Sequence, residues 1–344
     1  MAFIFPEIKK SIIQRHCGII ATATAFPETV VTNAEIITKY NHGVTDIAVE
    51  KTFGVKQRRV AEDGVVDTDL LSRAALACLK KAGVKPEQLS KLIINKFIGD
   101  RVLPMTASLV QKKLNCSDAI QSFDVDGGAN SFLQAFDLAS SSINCGDGYI
   151  LIVSGGIINT LVSRTDPRFA FLYGDAAAAV LLGPTDFKHI ESSYFFSNYH
   201  FADLATGFSH IKEMSPDIFI KKEYEPLYEQ YRTGNWKDAQ PFILEACRTA
   251  AHKMLDASGL TMNDIDLFLI TENNARLWKA IIAELGIDLK KTISVIQDHG
   301  NTMSAMIPLQ MDKAYGEKRM QIGSSIMILS IGEGISFGGI IYTV

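Results

Sequence analysis

Apolar residues recur along this chain with two periods. Runs rich in aliphatic and β-branched residues, at Gly18 to Ala23, Leu92 to Asn95, Tyr149 to Ser154 and Ala176 to Leu182, read as buried strands. Between them, apolar positions fall at helical spacing, so the alternation predicts an α/β fold. A longer regularity lies over this one. Ala74 to Ile94 (AALACLKKAGVKPEQLSKLII) aligns without a gap on Ala250 to Ile270 (AAHKMLDASGLTMNDIDLFLI), 176 positions further on. Leu79 meets Leu255, Gly83 meets Gly259, Leu89 meets Ile265, and Leu92-Ile93-Ile94 meets Phe268-Leu269-Ile270. Each copy reads as helix, glycine stop, turn and buried strand, and the two glycines stand where a helix end needs left-handed backbone.

A duplicated half-domain follows from the repeat. Its boundary falls near residue 185, after the turn Gly183-Pro184-Thr185, giving halves at 1–185 and 186–344. Within the second half, about 192–236 is dense in Phe and Tyr and reads as an insertion. It either covers a cavity or dimer surface or is an excursion packed by its own aromatics.

Bulk properties narrow the function. The 344 residues, 47% of them hydrophobic, suffice for two ordinary cores. A net charge of −4 lacks the basic footprint that a nucleic acid partner requires. The five cysteines are scattered and form no CxxC pair, which argues against a structural metal or a disulfide framework. No apolar run approaches the ~18 residues of a membrane span, and Lys9, Lys10, Arg15 and His16 interrupt the stretch before the leader-like Ala21-Thr22-Ala23. The expectation is a cytoplasmic protein with reduced thiols and no membrane contact.

Candidate chemistry lies where loops or helix starts follow buried strands, the position at which α/β folds gather reactive groups. Ser122 to Phe132 (SFDVDGGANSF) joins a strand to a helix beginning near Ala129, whose free amides suit an anion. Leu267 to Leu277 (LFLITENNARL) and Asp298 to Pro308 (DHGNTMSAMIP) have the same character, and Ile331 to Phe337 (IGEGISF) is a glycine turn through which backbone can approach a ligand. Asp126 is expected to cap the helix after Ala129, and His299 to belong to a turn.

These segments, with VVTNAEI (Val30 to Ile36), FGVKQRR (Phe53 to Arg59) and YGDAAAAVLL (Tyr173 to Leu182), resemble the β-ketoacyl-ACP synthase III family over essentially the whole chain. The resemblance implies the thiolase fold: five αβαβα layers in two pseudo-symmetric halves, assembled as a homodimer or as a heterodimer with a ketosynthase III homologue. It implies acyl thioesters as ligands, in fatty-acid, polyketide or related secondary-metabolite biosynthesis. Active members resembling this chain acylate a cysteine, and a histidine and an asparagine assist. Carried over by motif, Ala129 stands at the cysteine, Thr271 at the histidine, and Asn301 at the asparagine. The 30-residue interval from Thr271 to Asn301 matches the motif spacing.

A methyl group cannot carry an acyl chain, and threonine has no group that titrates near neutrality. Glu272 is a candidate base beside the histidine position; the competing reading is a hydrogen-bonded loop carboxylate, turned away by alternation from Thr271. Arg276, Asn274, Gly332, Gly334 and Arg58 are the candidate binding residues, with Arg58, Arg59, Lys112, Lys113, Arg276 and Lys279 as candidate docking cations for an acidic acyl carrier protein. The adenine-clamping positions implied by the resemblance fall on Ala48 and Thr52. That favours a 4'-phosphopantetheine thioester on a carrier protein over acyl-CoA, with no metal and no other cofactor. Three readings remain open: a non-nucleophilic partner of an active homologue, a self-sufficient acyltransferase or condensing enzyme whose Ala129 is natural or introduced, and a protein that binds an acyl carrier or acyl chain without chemistry.

Overall fold

The computed structural model describes residues 15–96, 103–126, 128–160, 162, 164–206, 232–233 and 236–344. Two sheets form its centre, one from each half of the sequence. The first contains β1 (His16–Ala25), β4 (Leu89–Asn95), β5 (Gln121–Val125), β6 (Tyr149–Gly156) and β7 (Ala176–Thr185), in the order β1-β7-β6-β4-β5. The second contains β8 (Ile190–Ser197), β11 (Leu267–Ile270), β12 (Ser325–Gly332) and β13 (Ser336–Thr343), in the order β8-β13-β12-β11.

The directions repeat along with the order. β4 runs parallel to β6, β6 antiparallel to β7, and β7 antiparallel to β1. In the second sheet β11 runs parallel to β12, β12 antiparallel to β13, and β13 antiparallel to β8. An isolated parallel bridge from Phe268 to Thr292 stands where β5 pairs with β4. The aligned segments found in the sequence occupy equivalent places. α3 (Asp67–Ala82) and α7 (Trp236–Ser258) lead to Gly83 at φ 67° and Gly259 at φ 70°, then to one short turn and to β4 or β11. A side chain at that left-handed φ is strained, which is why glycine recurs there.

Strand alternation builds the layers. Ile93 and Ile152 from the first sheet and Leu269 and Ile328 from the second face a shared central core with α5 (Ser131–Asn144) and α10 (Met306–Gly316) between them. Their neighbours face outwards: Leu92, Ile94 and Val153 meet α3 and α4 (Thr106–Leu114), while Phe268, Ile270 and Leu329 meet α7 and α8 (Ala275–Glu284). Both faces of each sheet are apolar, as a doubly covered sheet demands. The result is the five-layered αβαβα thiolase architecture.

The aromatic stretch expected as an insertion begins differently. Residues 190–197 are β8, an edge strand whose Tyr194 and Phe196 pack into the outer core, where Phe196 stacks on Phe337 at 5.2 Å. After it come β9 (Ala205–Thr206) and β10 (Arg232–Thr233), a two-stranded ribbon; 207–231, in the rest of that stretch, lies outside the described residues. On the first half, the ribbon β2 (Val30–Thr32) and β3 (Gln57–Arg59) is flanked by α1 (Asn33–Tyr40) and α2 (Asp46–Phe53), with α6 (Pro167–Ala170) nearby. Among the described residues no helix is long and apolar enough to cross a membrane.

Candidate active site

Each half delivers part of the site from the ends of its strands. Beyond β5 the chain turns at Gly128, φ 65°, through a single tight turn at Gly128–Asn130 and into α5. Ala129 sits in that turn, buried, with its methyl at the predicted nucleophile position.

The carbonyl of Ala129 accepts a hydrogen bond from the Ser330 hydroxyl on β12 at 3.2 Å. Thr271, just past β11, lies 2.8 Å from the same Ser330 oxygen. Ser330 gives its one proton to Ala129, and the Thr271 hydroxyl has two acceptors in reach, the Ser330 oxygen and the Leu329 carbonyl at 3.3 Å. Thr271 also accepts the Ile331 amide at 3.3 Å. It is thus a link in a hydrogen-bonded chain rather than a base.

Asn301 is held as firmly. Its Nδ2 donates to the Asn273 carbonyl at 3.1 Å and its Oδ1 accepts the Met303 amide at 2.8 Å, while its own amide donates to the Leu172 carbonyl at 2.8 Å. Asn273 in turn donates to the Ile331 carbonyl at 3.2 Å. One network therefore joins Ala129, Ser330, Thr271, Asn273 and Asn301 across the two halves. Gly174 is required here, because any side chain would collide with the His299 carbonyl. His299 stacks on Phe26 at 4.4 Å, and burial lowers its pKa to about 4, so it is neutral at physiological pH.

Glu272 matches the hydrogen-bonded loop carboxylate of its two readings, and Arg58 lies elsewhere than expected. The carboxylate of Glu272 points away from the network into buried structure, where it accepts Val295 N–H at 2.7 Å, Ile296 N–H at 3.1 Å and the Ser294 hydroxyl, with Gln310 at 3.4 Å. Burial still raises its pKa, against these hydrogen bonds. It anchors the start of α9 (Ile296–His299), the segment leading to Asn301, instead of serving as a base. Arg58 is fully buried and donates to the carbonyls of Val31 and Phe171 and to Asn33, so it ties β3 to α1 and cannot meet a carrier protein.

The other candidate binding residues divide similarly. Asn274 caps α8 through its Oδ1 and the Leu277 amide at 2.9 Å. Gly332 ends β12 against the backbone of Asn130, and Gly334 turns the chain at φ 65°. Among the cations, Arg59 donates to the carbonyls of Pro27 and Glu28, and Lys113 pairs with Asp69. Lys112, Arg276 and Lys279 are exposed. Arg276 begins α8 next to Ala275, which abuts Gly54 at the end of α2. On that helix a cleft of about 260 Å³ is lined by Val44, Ala48, Val49, Thr52, Phe53, Pro167 and Phe171. Among the described residues its lining has no tryptophan or arginine.

Glu333 is the residue that sequence reasoning missed. It follows β12 between Gly332 and Gly334, and its Oε2 accepts the Ala129 amide at 3.2 Å. A side chain on Gly128 would overlap the same carboxyl group. Burial, with the negative charge of Asp126 as a smaller cause, pushes its pKa up, while the Ala129 hydrogen bond pulls it down. Asp126 itself is exposed, and Glu333 reaches the Ala129 amide from the other half. The available signal was an acid between two glycines after a buried strand.

Comparison with known proteins gives one answer. The family model described as 3-oxoacyl-[acyl-carrier-protein (ACP)] synthase III matches residues 123–198, and the model of its C-terminal part matches 255–344. A β-ketoacyl-[acyl-carrier-protein] synthase III from Laribacter hongkongensis is 26% identical over 94% of this chain and 98% of its own length. One from Coxiella burnetii is 28% identical, over 91% and 94%. Among solved structures, the synthase III of Pseudomonas aeruginosa superposes with a TM-score of 0.83 at 23% identity, covering 96% of this chain and 98% of that one. The priming β-ketosynthase of a polyketide biosynthetic pathway gives 0.85 at 21%, covering 98% of each. These two likenesses speak for the fold, and in sequence the chain is similar to β-ketoacyl-ACP synthase III proteins over nearly its whole length.

Proposed function

We propose that this chain binds an acyl thioester of a carrier protein in fatty-acid, polyketide or related biosynthesis, as the non-nucleophilic partner of an active ketosynthase III homologue. The observation that carries the reading is the buried Ala129 methyl at the start of α5, with the Thr271 hydroxyl hydrogen-bonded within the β12 end, to Ser330 and the Leu329 carbonyl. The methyl cannot form an acyl-enzyme intermediate, and the threonine hydroxyl has no group that titrates near neutral pH to replace a histidine. Asn301 remains, oriented by Asn273 and Met303, and among the described residues one N–H of its amide has no acceptor and could meet a carbonyl. The apolar cleft on α2 favours a phosphopantetheine arm over the adenine of CoA, and the exposed Arg276 supplies positive charge for an acidic carrier.

The test is co-expression with a cysteine-bearing ketosynthase III homologue from the same genome. The expected result is a stable complex whose condensation of carrier-bound acyl chains requires both subunits. A stable homodimer that leaves every such homologue unbound and turns over acyl thioesters by itself would overturn the reading.

A further inference from the structure

In this chain the anion position at the start of α5 is already occupied, and from the far half of the molecule. The Glu333 carboxylate reaches the Ala129 amide across 204 residues of sequence. Gly128 leaves the room that it needs, since any Cβ there would overlap it. A backbone N–H has a single hydrogen. While Glu333 accepts it, that hydrogen cannot stabilise the oxygen of a thioester carbonyl as negative charge develops. A thiolate at position 129 would also lie beside a carboxylate, and like charges at close range disfavour ionisation. The nearby Ser330 hydroxyl offers no relief, because its proton goes to the Ala129 carbonyl.

We propose that Glu333 is a specificity-determining residue, an internal ligand that fills the anion position and closes the covalent acyl route independently of the missing thiol. The inference rests on the thioester-binding reading above and sharpens it. Restoring a cysteine at position 129 does not by itself restore an acylating site.

The experiment compares Ala129→Cys alone with the double variants Ala129→Cys/Glu333→Ala and Ala129→Cys/Glu333→Gln. Each is treated with iodoacetamide at pH 7, and the rate of modification at position 129 is read by peptide mass spectrometry. Cys145 is exposed and serves as the internal reference, while Cys17, Cys78 and Cys247 are buried and must stay unreactive if the fold is intact. Alanine at position 333 should speed alkylation at 129 at least about tenfold over Ala129→Cys alone, the effect of one pKa unit on the thiolate fraction. Glutamine, which removes the charge but leaves an oxygen on the amide, should fall between. If the alanine variant exposes the buried cysteines, the isosteric glutamine variant decides. Equal rates at 129 in single and double variants, or no modification in either folded double, would overturn the proposal.

Acetyl-CoA and an acetylated carrier protein are then offered to the faster double variant. Acyl transfer to position 129 supports both this inference and the thioester reading. Alkylation without acylation leaves Glu333 as assigned and counts against the thioester reading.

Discussion

Truncating Glu272 to alanine should unfold the protein more readily without acting on chemistry directly. Two buried backbone amides, Val295 and Ile296, and the Ser294 hydroxyl donate to its carboxylate. A buried donor left without an acceptor costs roughly 1–3 kcal/mol, so the two amides alone set a loss of about 2–6 kcal/mol. Gln310 keeps its bonds to the carbonyls of Ile270 and Ile293, and the Ser294 hydroxyl can rotate, so neither adds much. Relief from burying a carboxylate, whose pKa burial raises, works in the opposite direction. The net expectation is about 3 kcal/mol. Glu272→Gln keeps an oxygen for the two amides and should lose less than about half of that. Equilibrium urea unfolding of both variants measures the difference. The reasoning is refuted if alanine and glutamine destabilise equally, or if glutamine abolishes activity of the complex while leaving the unfolding midpoint unchanged. The second outcome would return Glu272 to the role of base.

Glu333→Gln should raise the melting temperature at pH 7–8, and the gain should vanish towards pH 4.5. The folded pKa of Glu333 is raised above the unfolded value, so its stabilising contribution is full below the unfolded pKa and is lost as pH rises through the folded one. Glutamine does not titrate; thermal melts across that range would instead show a constant offset if the assignment were wrong. Arg58→Met should cost about 3 kcal/mol or more in urea unfolding, since the Val31 and Phe171 carbonyls and Asn33 lose their donor, while the folded fraction should bind carrier protein with unchanged affinity. Arg276→Glu should do the reverse: stability within about 0.5 kcal/mol of the parent, and carrier affinity reduced several-fold with a weaker salt dependence by titration calorimetry.

What was legible in the sequence was what is encoded locally. Gly83 and Gly259 betray the two halves because a left-handed helix end has a one-residue signature. The sheet layers follow from alternation within β4, β6, β11 and β12, whose two faces feed different cores. Ala129, Thr271 and Asn301 each belong to a short contiguous motif, and the fold joins the three in one hydrogen-bonded network. Arg58 was misjudged because Gln57-Arg58-Arg59 looks like a solvated charge run. On a strand, however, the middle residue faces opposite to its neighbours, and the acceptors that bury it come from residues 27 and 113 positions away. The start of the aromatic stretch was misplaced for a related reason. An edge strand that buries Tyr194 and Phe196 has the same composition as an aromatic excursion until its partner, β13, is known.

Glu333 shows most clearly how the missing thiol and the added acid belong together. A turn that presents a buried amide to an empty position would leave that donor unsatisfied, at a cost that folded proteins rarely bear. In a site that acylates, the charge that meets the amide is transient; with a methyl at position 129 there is none to meet it. The Glu333 carboxyl group satisfies the Ala129 N–H, and in its ionised form it makes a thiolate at the same position harder to form. The two residues therefore exclude each other's chemistry, which predicts non-additive substitutions. Ala129→Cys and Glu333→Ala should each leave the chain unable to accept an acyl group, the first for want of a free amide and an ionisable thiol, the second for want of any thiol. Only together should they open the route, and a double-mutant cycle on the acylation rate of position 129 would then give a coupling that neither single change contains.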